Sequence, residues 1–150
     1  MPSSIQLEDF IIDNIELKSN ILPETRKKKK EINYGFDFDI GINKIKPGEK
    51  YILKLSLRFF SPEKSASKCP YILNITLLGR FVFFEKINKK DRDSLLLLNG
   101  TSILYGIARG IVSQITANSR NGKWVLPTLN FIELIKEKFS KRNGMGPLDG

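Results

Sequence analysis

The chain has 150 residues with a formal net charge of +9, and 41% of its residues are hydrophobic, which suits one packed domain over residues 1–150 rather than a disordered polypeptide. It contains no histidine and one cysteine, Cys69, so a Ser-His or Cys-His catalytic pair, an internal disulfide and a thiolate-rich zinc site are all excluded. We therefore expect a protein that is not an enzyme and that uses no metal or cofactor.

No targeting or membrane-spanning segment is predicted. Strictly apolar runs are no longer than residues 95–98, whereas a helix that crosses a bilayer needs about 20 residues. The first nine residues carry acidic rather than basic side chains and no apolar core, unlike a secretory signal. We therefore expect a cytoplasmic protein without membrane insertion.

Residues 5–18 form the first of four extended segments, and they mix polar and apolar side chains. Ile11, Ile15 and Leu17 lie two or four positions apart. Because side chains alternate across a strand, we expect these three on the same side of it.

The next three segments have the alternation of half-buried strands. Residues 34–42, 51–59 and 71–84 place an apolar side chain at almost every second position. Asp37 and Asp39 share one side of their strand, where the pattern makes them a polar face rather than a catalytic pair. A Pro-Gly turn and short connections favour an antiparallel meander.

The reverse face of this sheet is not purely polar. Ile52, Phe60 and Leu78 would share it with basic side chains of the same strands. An apolar surface of this kind is either covered by helices or a partner subunit, or offered to a partner. The sequence leaves both alternatives open.

A first helix is predicted after the strands. Thr101 or Ser102 can cap it. Gly106 and Gly110 lie four apart and either permit the close approach of another subunit's helix or are merely tolerated. The spacing of one helix face predicts this inward stripe: Leu104, Ile107, Ala108, Ile111 and Ile115.

A second helix follows the polar turn at residues 118–123. Asn130 can cap it, and Glu133 is placed three residues later as in a capping box. Gly144 is a plausible stop, so residues 144–150, like residues 1–4, are expected to be disordered. The predicted apolar stripe of this helix is Phe131, Leu134, Ile135 and Phe139. Strands followed by helices define an α+β fold, here a four-stranded antiparallel sheet and then a long and a short helix.

Three motifs resemble the protein-export chaperone SecB family. Gly79-Arg80-Phe81 matches the Gly-x-Phe of that family's last strand. Residues 103–109, Ile-Leu-Tyr-Gly-Ile-Ala-Arg, continue to Ser113 and are similar to the start of its long helix, except that glycine replaces the usual proline. Residues 126–131, Leu-Pro-Thr-Leu-Asn-Phe, look like its loop before the last helix, with the proline shifted by one residue.

The resemblance covers residues 5–140 in element order and residues 79–131 by motif. It implies a cytoplasmic, ATP-independent holdase that assembles as a dimer of dimers, with long helices sandwiched between sheets. The oligomer interface that it implies on this chain includes Ile11, Ile15, Gly106, Arg109 and Gly110.

In SecB-like proteins, unfolded clients lie in a groove between a crossover loop, the loop before the last helix and exposed sheet. The matching residues here are Ile21, Leu22, Pro23, Ile52, Phe60, Leu78, Trp124, Val125, Leu126 and Phe131. Trp124 is the sole tryptophan. Its indole suits either a promiscuous apolar contact with a client or packing over the helix start.

The charge of the chain departs from the family. SecB proteins are acidic, and an acidic patch docks the basic tail of the SecA motor. The positions that match this patch are Asn14 and Lys18, and like charges would disfavour the docking. Solitary chaperones of the family that protect an antitoxin, and holdases without an export role, fit the sequence at least as well.

A basic run in the predicted crossover loop, residues 20–31, consists of Arg26, Lys27, Lys28, Lys29 and Lys30. We interpret it first as a solvated loop and second as a means of attracting acidic client segments. Nucleic-acid binding is a third alternative, since aromatic residues come next in the sequence. Their place on the inward side of a strand counts against it.

Overall fold

The chain forms one four-stranded antiparallel sheet with helices against one face, as a computed structural model shows for residues 4–21, 34–62 and 69–140. Within these ranges the elements are strands β1 (Ile5–Ser19), β2 (Gly35–Lys46), β3 (Lys50–Phe60) and β4 (Tyr71–Phe83), then α1 (Lys89–Leu95), a π-helical turn (Leu96–Gly100), α2 (Thr101–Thr116) and α3 (Phe131–Ser140). The strand order is β1-β4-β3-β2, so β1 and β2 form the two edges.

Strands β2, β3 and β4 form the predicted meander. Gly48 adopts a φ of 83° at the Pro-Gly turn, where Glu49 N–H donates to the Lys46 carbonyl. The inward side chains of β3 are at most 2% exposed, and they are Tyr51, Leu53, Leu55, Leu57 and Phe59. We call the sheet face that carries them the helical face and the other one the outer face.

The prediction that Ile11, Ile15 and Leu17 share one side of β1 is wrong. Ile11 is opposite the outward Leu78, whereas Ile15 is opposite the buried Ile75. The register shifts once after Leu7 and again after Ile12. Because an extra residue reverses the alternation of side chains, Ile11 lies on the outer face and Ile15 on the helical face.

Two glycines let the long helix approach the sheet closely. A Cβ added to Gly79 of β4 would lie 2.8 Å from Cδ2 of Leu104. A Cβ on Gly100 would lie 2.8 Å from Cδ2 of Leu53. An added Cβ at either position would force neighbouring side chains to shift, so the helix crosses the sheet closely there.

The long helix begins earlier than predicted, so the expected cap at Thr101 or Ser102 is wrong. It starts at Lys89, where Asn88 Oδ1 accepts a hydrogen bond of 2.9 Å from Asp91 N–H. The π-helical turn joins α1 to α2 without a break. Thr101 is fully buried inside the helix, and Ser102 Oγ donates to the Leu98 carbonyl.

The predicted inward stripe of α2 is also partly wrong. Ile107 and Ile111 are half-buried, and Ile115 is 43% exposed. Together with Ile103 they repeat every four residues, and we call these four the isoleucine stripe. The side chains of α2 that are buried against the sheet are Thr101, Leu104, Tyr105, Ala108, Val112 and Thr116. Helix α2 therefore has two apolar sides, of which the described chain covers one fully and the isoleucine stripe only in part.

The start of α3 agrees with the sequence. Glu133 N–H donates to Asn130 Oδ1 at 3.3 Å, and Phe131 and Ile135 are buried while Leu134 is half-buried. Lys138 holds the helix to the β2 edge, because its ammonium donates to the Phe38 carbonyl. It also lies 3.9 Å from the exposed carboxylates of both Asp37 and Asp39.

Some predictions fall outside the described part of the chain. These concern the side chain of Phe139, the helix stop at Gly144 and the two termini. Of the ends expected to be disordered, only Ser4 is described, and its carbonyl accepts a 3.1 Å hydrogen bond from Phe84 N–H.

The continuous helix over Lys89–Thr116 is 28 residues long and apolar enough to cross a membrane by length and composition. One such helix among the described residues is weak evidence for a span. A helix that packs its apolar side against a sheet meets the same criterion, and α2 does so.

Candidate functional site

Residues 124–127 run back along α2 and are held by a row of its polar side chains. Trp124 uses both of its main-chain groups, since its N–H donates to Thr116 Oγ1 at 2.8 Å and its carbonyl accepts from Ser113 Oγ at 3.5 Å. Two further contacts follow, from Arg109 Nε to the Leu126 carbonyl (3.0 Å) and from Tyr105 OH to the Pro127 carbonyl (2.5 Å). Side chains of the helix thus make hydrogen bonds to the main chain of this segment, where a neighbouring strand would use its own main chain.

Burial alternates along the segment. Trp124 is 7% exposed, Val125 is 53% exposed and Leu126 is fully buried. The indole packs edge-on against Phe59 at 5.5 Å and also contacts Tyr71. Trp124 is therefore packed in the core against β3 and β4 rather than over the helix start, and of these three residues Val125 is the one that is accessible to a partner.

A set of aromatic rings connects β2 with residues 124–131. Phe59 contacts Tyr34, Phe36 and Trp124, with centroid distances of 5.7, 4.8 and 5.5 Å. Tyr34 and Phe36 are only half-buried. We call the surface made by Tyr34, Phe36 and Val125 the aromatic surface. Two of its members were missed as site residues, because alternation alone assigned them to the core.

The ring contacts continue to the start of α3. Phe131 packs edge-on against Phe38 at 5.8 Å and against Tyr105 at 4.9 Å. Burial raises the pKa of Tyr105 above the ordinary tyrosine range, against the opposing effect of the Arg109 cation, and the Tyr34 phenol adds to the rise. Phe131 itself is 4% exposed, so it lies beneath the surface rather than on it.

A cavity lies between α2 and residues 128–131. It has a volume of about 180 Å³ and is lined by Ser102, Tyr105, Gly106, Arg109, Thr128, Leu129 and Phe131. A Cβ added to Gly106 or Gly110 would meet no described atom within 4 Å. Space for another element is therefore present at both glycines. Arg109, predicted at an oligomer interface, has its Nε engaged by the Leu126 carbonyl.

The sheet separates the predicted client-binding residues into two groups. Ile52 and Leu78 lie on the outer face, where they line a shallow depression of about 80 Å³ together with Ile11. Phe60 is on the same face, with its ring over Gly35 and the Arg58 guanidinium 5.2 Å from its centroid. The structure does not bring this group together with residues 124–127 on the helical face.

A hydrogen-bonded node ties the end of β1 to the turn after α2. Asn121 Nδ2 donates to the carbonyls of Asn20 and Pro70, at 2.7 and 2.6 Å. Tyr71 OH donates to the Gly122 carbonyl at 2.7 Å. Sequence reasoning missed this node, since single asparagines in turns carry no long-range signal.

Ile21 follows this node directly and is 76% exposed. The rest of the predicted crossover loop lies outside the described residues. That part includes Leu22, Pro23 and the basic run Arg26, Lys27, Lys28, Lys29 and Lys30.

This arrangement of strands and helices is the SecB-like fold. The structure superposes on a SecB-like chaperone of Mycobacterium tuberculosis, solved in complex with a ChAD peptide from an antitoxin, with a TM-score of 0.63 and 12% identity over 85% of this chain and 91% of that one. The match confirms the predicted fold, a four-stranded antiparallel sheet followed by a long and a short helix.

Two further proteins are similar to the chain. A protein of Methanocaldococcus jannaschii described as uncharacterised is 28% identical over 145 residues, which are 93% of this chain and 91% of that protein. A Streptococcus agalactiae protein of unknown function superposes with a TM-score of 0.41 and 11% identity, over 83% of this chain and 97% of that one. No family model matches the sequence.

Proposed function

We propose that this protein is an ATP-independent holdase of the SecB type, which binds non-native polypeptides without changing them chemically. The observation that carries the proposal is the aromatic surface on a SecB-like fold. Half-buried aromatic side chains bind apolar segments of varied sequence, since they offer a large contact area at little conformational cost. The solved SecB-like chaperone that shares the fold was captured with a peptide.

The proposed client contacts on the helical face are Tyr34, Phe36 and Val125, with Ile21 as a further exposed apolar residue. Trp124, Leu126 and Phe131 hold this surface in place from the core. We keep Ile52, Phe60 and Leu78 as a second, separate contact on the outer face, which a long client reaches by passing around the sheet edge.

We further propose that the chain assembles into a homo-oligomer, a dimer of dimers, through α2. Two members of the isoleucine stripe are exposed in the described chain, Ile103 by 38% and Ile115 by 43%, while Ile107 and Ile111 between them are half-buried. Gly106 and Gly110 lie beside it with open space around them. An exposed apolar stripe next to small residues suits a second copy of the same helix. Several client sites on one assembly would then add weak contacts along one chain.

The expected setting is the cytoplasm, with unfolded polypeptides or a dedicated antitoxin as clients. SecA is not among the proposed partners. Asn14 and Lys18 lie on the outer face of β1, opposite Thr76 and Ile72 of β4. Because one is neutral and the other is basic, neither supplies the acidic charge that a basic tail requires.

The test is light scattering of a chemically denatured client diluted into buffer, with and without the protein, at low and moderate salt. We expect suppression near one assembly per client that persists in salt, because apolar contacts dominate. Val125→Asp should weaken suppression several-fold, and Ile52→Asp on the outer face should weaken it less. Absence of suppression at several-fold excess would overturn the proposal.

A further inference from the structure

Residues 124–126 lie outside the sheet, but their hydrogen bonds and burial follow the pattern of a strand that is paired on one side, a pattern that ends at Pro127, whose carbonyl also faces α2. Both main-chain groups of Trp124 face α2, and so does the Leu126 carbonyl. The side chains alternate between buried, exposed and buried. In an extended chain, successive residues direct their N–H and C=O groups to opposite sides. The N–H and C=O of Val125 therefore point away from α2.

That other side faces β2. Helix α2 lies over β3 and β4, while Phe131, a few residues along the same segment, contacts Phe38 of β2. The half-buried rings of Tyr34 and Phe36 belong to β2 as well. Among the described residues, neither main-chain group of Val125 has a hydrogen-bond partner.

We propose that an extended client segment pairs with Val125 as an added strand. One client residue donates its N–H to the Val125 carbonyl and accepts the Val125 N–H on its own carbonyl. This deepens the proposed holdase function and rests on it. A donor and an acceptor from one residue match another peptide unit, and pairing through the main chain is a known mode of peptide capture at strand edges.

The pairing gives the client a defined pattern. Alternate client side chains would face the same way as the buried Trp124 and Leu126, toward the rings of Tyr34 and Phe36. Those between them would face solvent, as Val125 does. The favoured client is therefore an extended segment with an apolar residue at every second position, whatever the identity of the intervening residues. This explains tolerance of sequence, since the main-chain contacts are the same for every client.

The test uses fluorescently labelled ten-residue peptides with alternating apolar and polar residues, and fluorescence anisotropy as the readout. One peptide series carries N-methyl groups on the apolar positions and a matched series carries them on the polar positions. The client residue that pairs with Val125 has its side chain on the solvent side, so it is a polar position. The series with N-methyl groups on the polar positions should therefore bind about 2- to 12-fold more weakly, because one hydrogen bond is lost. The other series should bind like the unmethylated peptide.

Two protein variants provide the reciprocal test. Val125→Pro removes the N–H, and its fixed φ suits an extended residue, whereas Val125→Ala keeps the N–H and shortens the side chain. We expect the proline variant to bind the unmethylated peptide more weakly than the alanine variant by a similar factor, with melting temperatures of the two variants within a few degrees. If the proline variant fails to fold, the peptide series on the native chain decides alone.

Equal binding of the two N-methyl series to the native protein would overturn the strand pairing while leaving the holdase function in place. Failure of the native protein to bind any unmethylated peptide or denatured client would overturn both. If Val125 pairs instead with a second copy of this chain, Val125→Pro would lower the mass of the assembly and the two peptide series would not differ.

Discussion

Individual polar side chains on α2 position the segment that carries the proposed client contact. Thr116 Oγ1 donates to the Val112 carbonyl at 2.7 Å and accepts from Trp124 N–H at 2.8 Å. Tyr105 and Arg109 fix the two carbonyls that follow. Because these hydrogen bonds are made in a buried setting, each lost partner leaves an unsatisfied group. The position of Val125 is therefore set by side chains that it does not contact itself.

Tyr105→Phe tests this at one residue. Loss of the hydrogen bond to the Pro127 carbonyl should lower the free energy of unfolding by about 1 kcal/mol at pH 7. Burial raises the pKa of Tyr105 in the folded state, so the native chain keeps its full stability below the ordinary tyrosine pKa of about 10 and loses it as the pH rises further. The phenylalanine variant lacks this loss.

Urea unfolding at pH 7, 9 and 11 measures both effects. The difference between the two proteins should shrink between pH 9 and pH 11, since the other tyrosines titrate in both. A difference that stays constant over this range would show that the Tyr105 hydroxyl is not buried in the folded protein.

Among the elements, all four strands were predictable, but the side on which each side chain of β1 lies was not. A strand that is buried on one face shows its register directly in its alternation, as Tyr51 to Phe59 do. In β1, two register shifts move apolar residues from one face to the other. Alternation loses its meaning across such a shift, and the shift itself depends on pairing with β4, which the local sequence does not contain.

The prediction of the inward stripe of α2 was partly wrong for a different reason. Its sequence has apolar residues on two sides, and the isoleucines form the more regular stripe. The side that packs on the sheet includes Tyr105 and Thr116, whose hydroxyl groups find partners in residues 124–127. The sequence pattern assigns such polar residues to the surface. The predicted inward side of the helix therefore included the isoleucines instead of Tyr105 and Thr116.

The close crossing of α2 over β4 should make the protein sensitive to an added side chain at Gly79. Gly79→Ala places a Cβ 2.8 Å from Leu104 Cδ2, and the resulting overpacking should lower the free energy of unfolding by about 1–3 kcal/mol. Gly41→Ala in β2 is the matched control. Its Cβ would meet Lys54 Cβ at 3.8 Å, an ordinary contact, so we expect a change near zero or a gain of about 0.4–1 kcal/mol.

Urea denaturation midpoints of the two glycine variants measure this difference. Equal midpoints would mean that helix and sheet separate at no cost, contrary to the close crossing described above.

For the whole molecule, the sequence predicted the fold, whereas the client site stays a prediction. Element order and the motifs of residues 79–131 were sufficient for the fold. Val125 is exposed as a contact residue should be, whereas Trp124 is not, because neighbouring rings in β3 and β4 cover it. Tyr34 and Phe36 could not be chosen from sequence, since their half-exposure follows from β2 being an edge strand.

The proposed homo-oligomer can be tested at the isoleucine stripe. Ile103→Asp combined with Ile115→Asp places two charges on the exposed positions of the isoleucine stripe, and desolvating them in an interface is costly. We expect sedimentation velocity to show a species of lower mass than the native assembly. Ile132→Asp on α3, also an exposed isoleucine, should keep the native mass. A native protein that sediments as a monomer would contradict the proposed oligomer.

The pairing of the first strand with the last has a consequence for biosynthesis. Ile5 pairs with Phe83 and Ser19 with Tyr71, so β1 emerges from the ribosome long before its partner exists. At about 5–20 residues per second, residues 20–83 take about 3–13 s to translate. During this delay the 15-residue segment that forms β1, which carries exposed isoleucines, has no partner strand. The nascent chain of a protein proposed to guard others against aggregation therefore passes through an aggregation-prone interval of its own, and the acidic Glu8 and Asp13 at its two register shifts are placed to oppose mispairing.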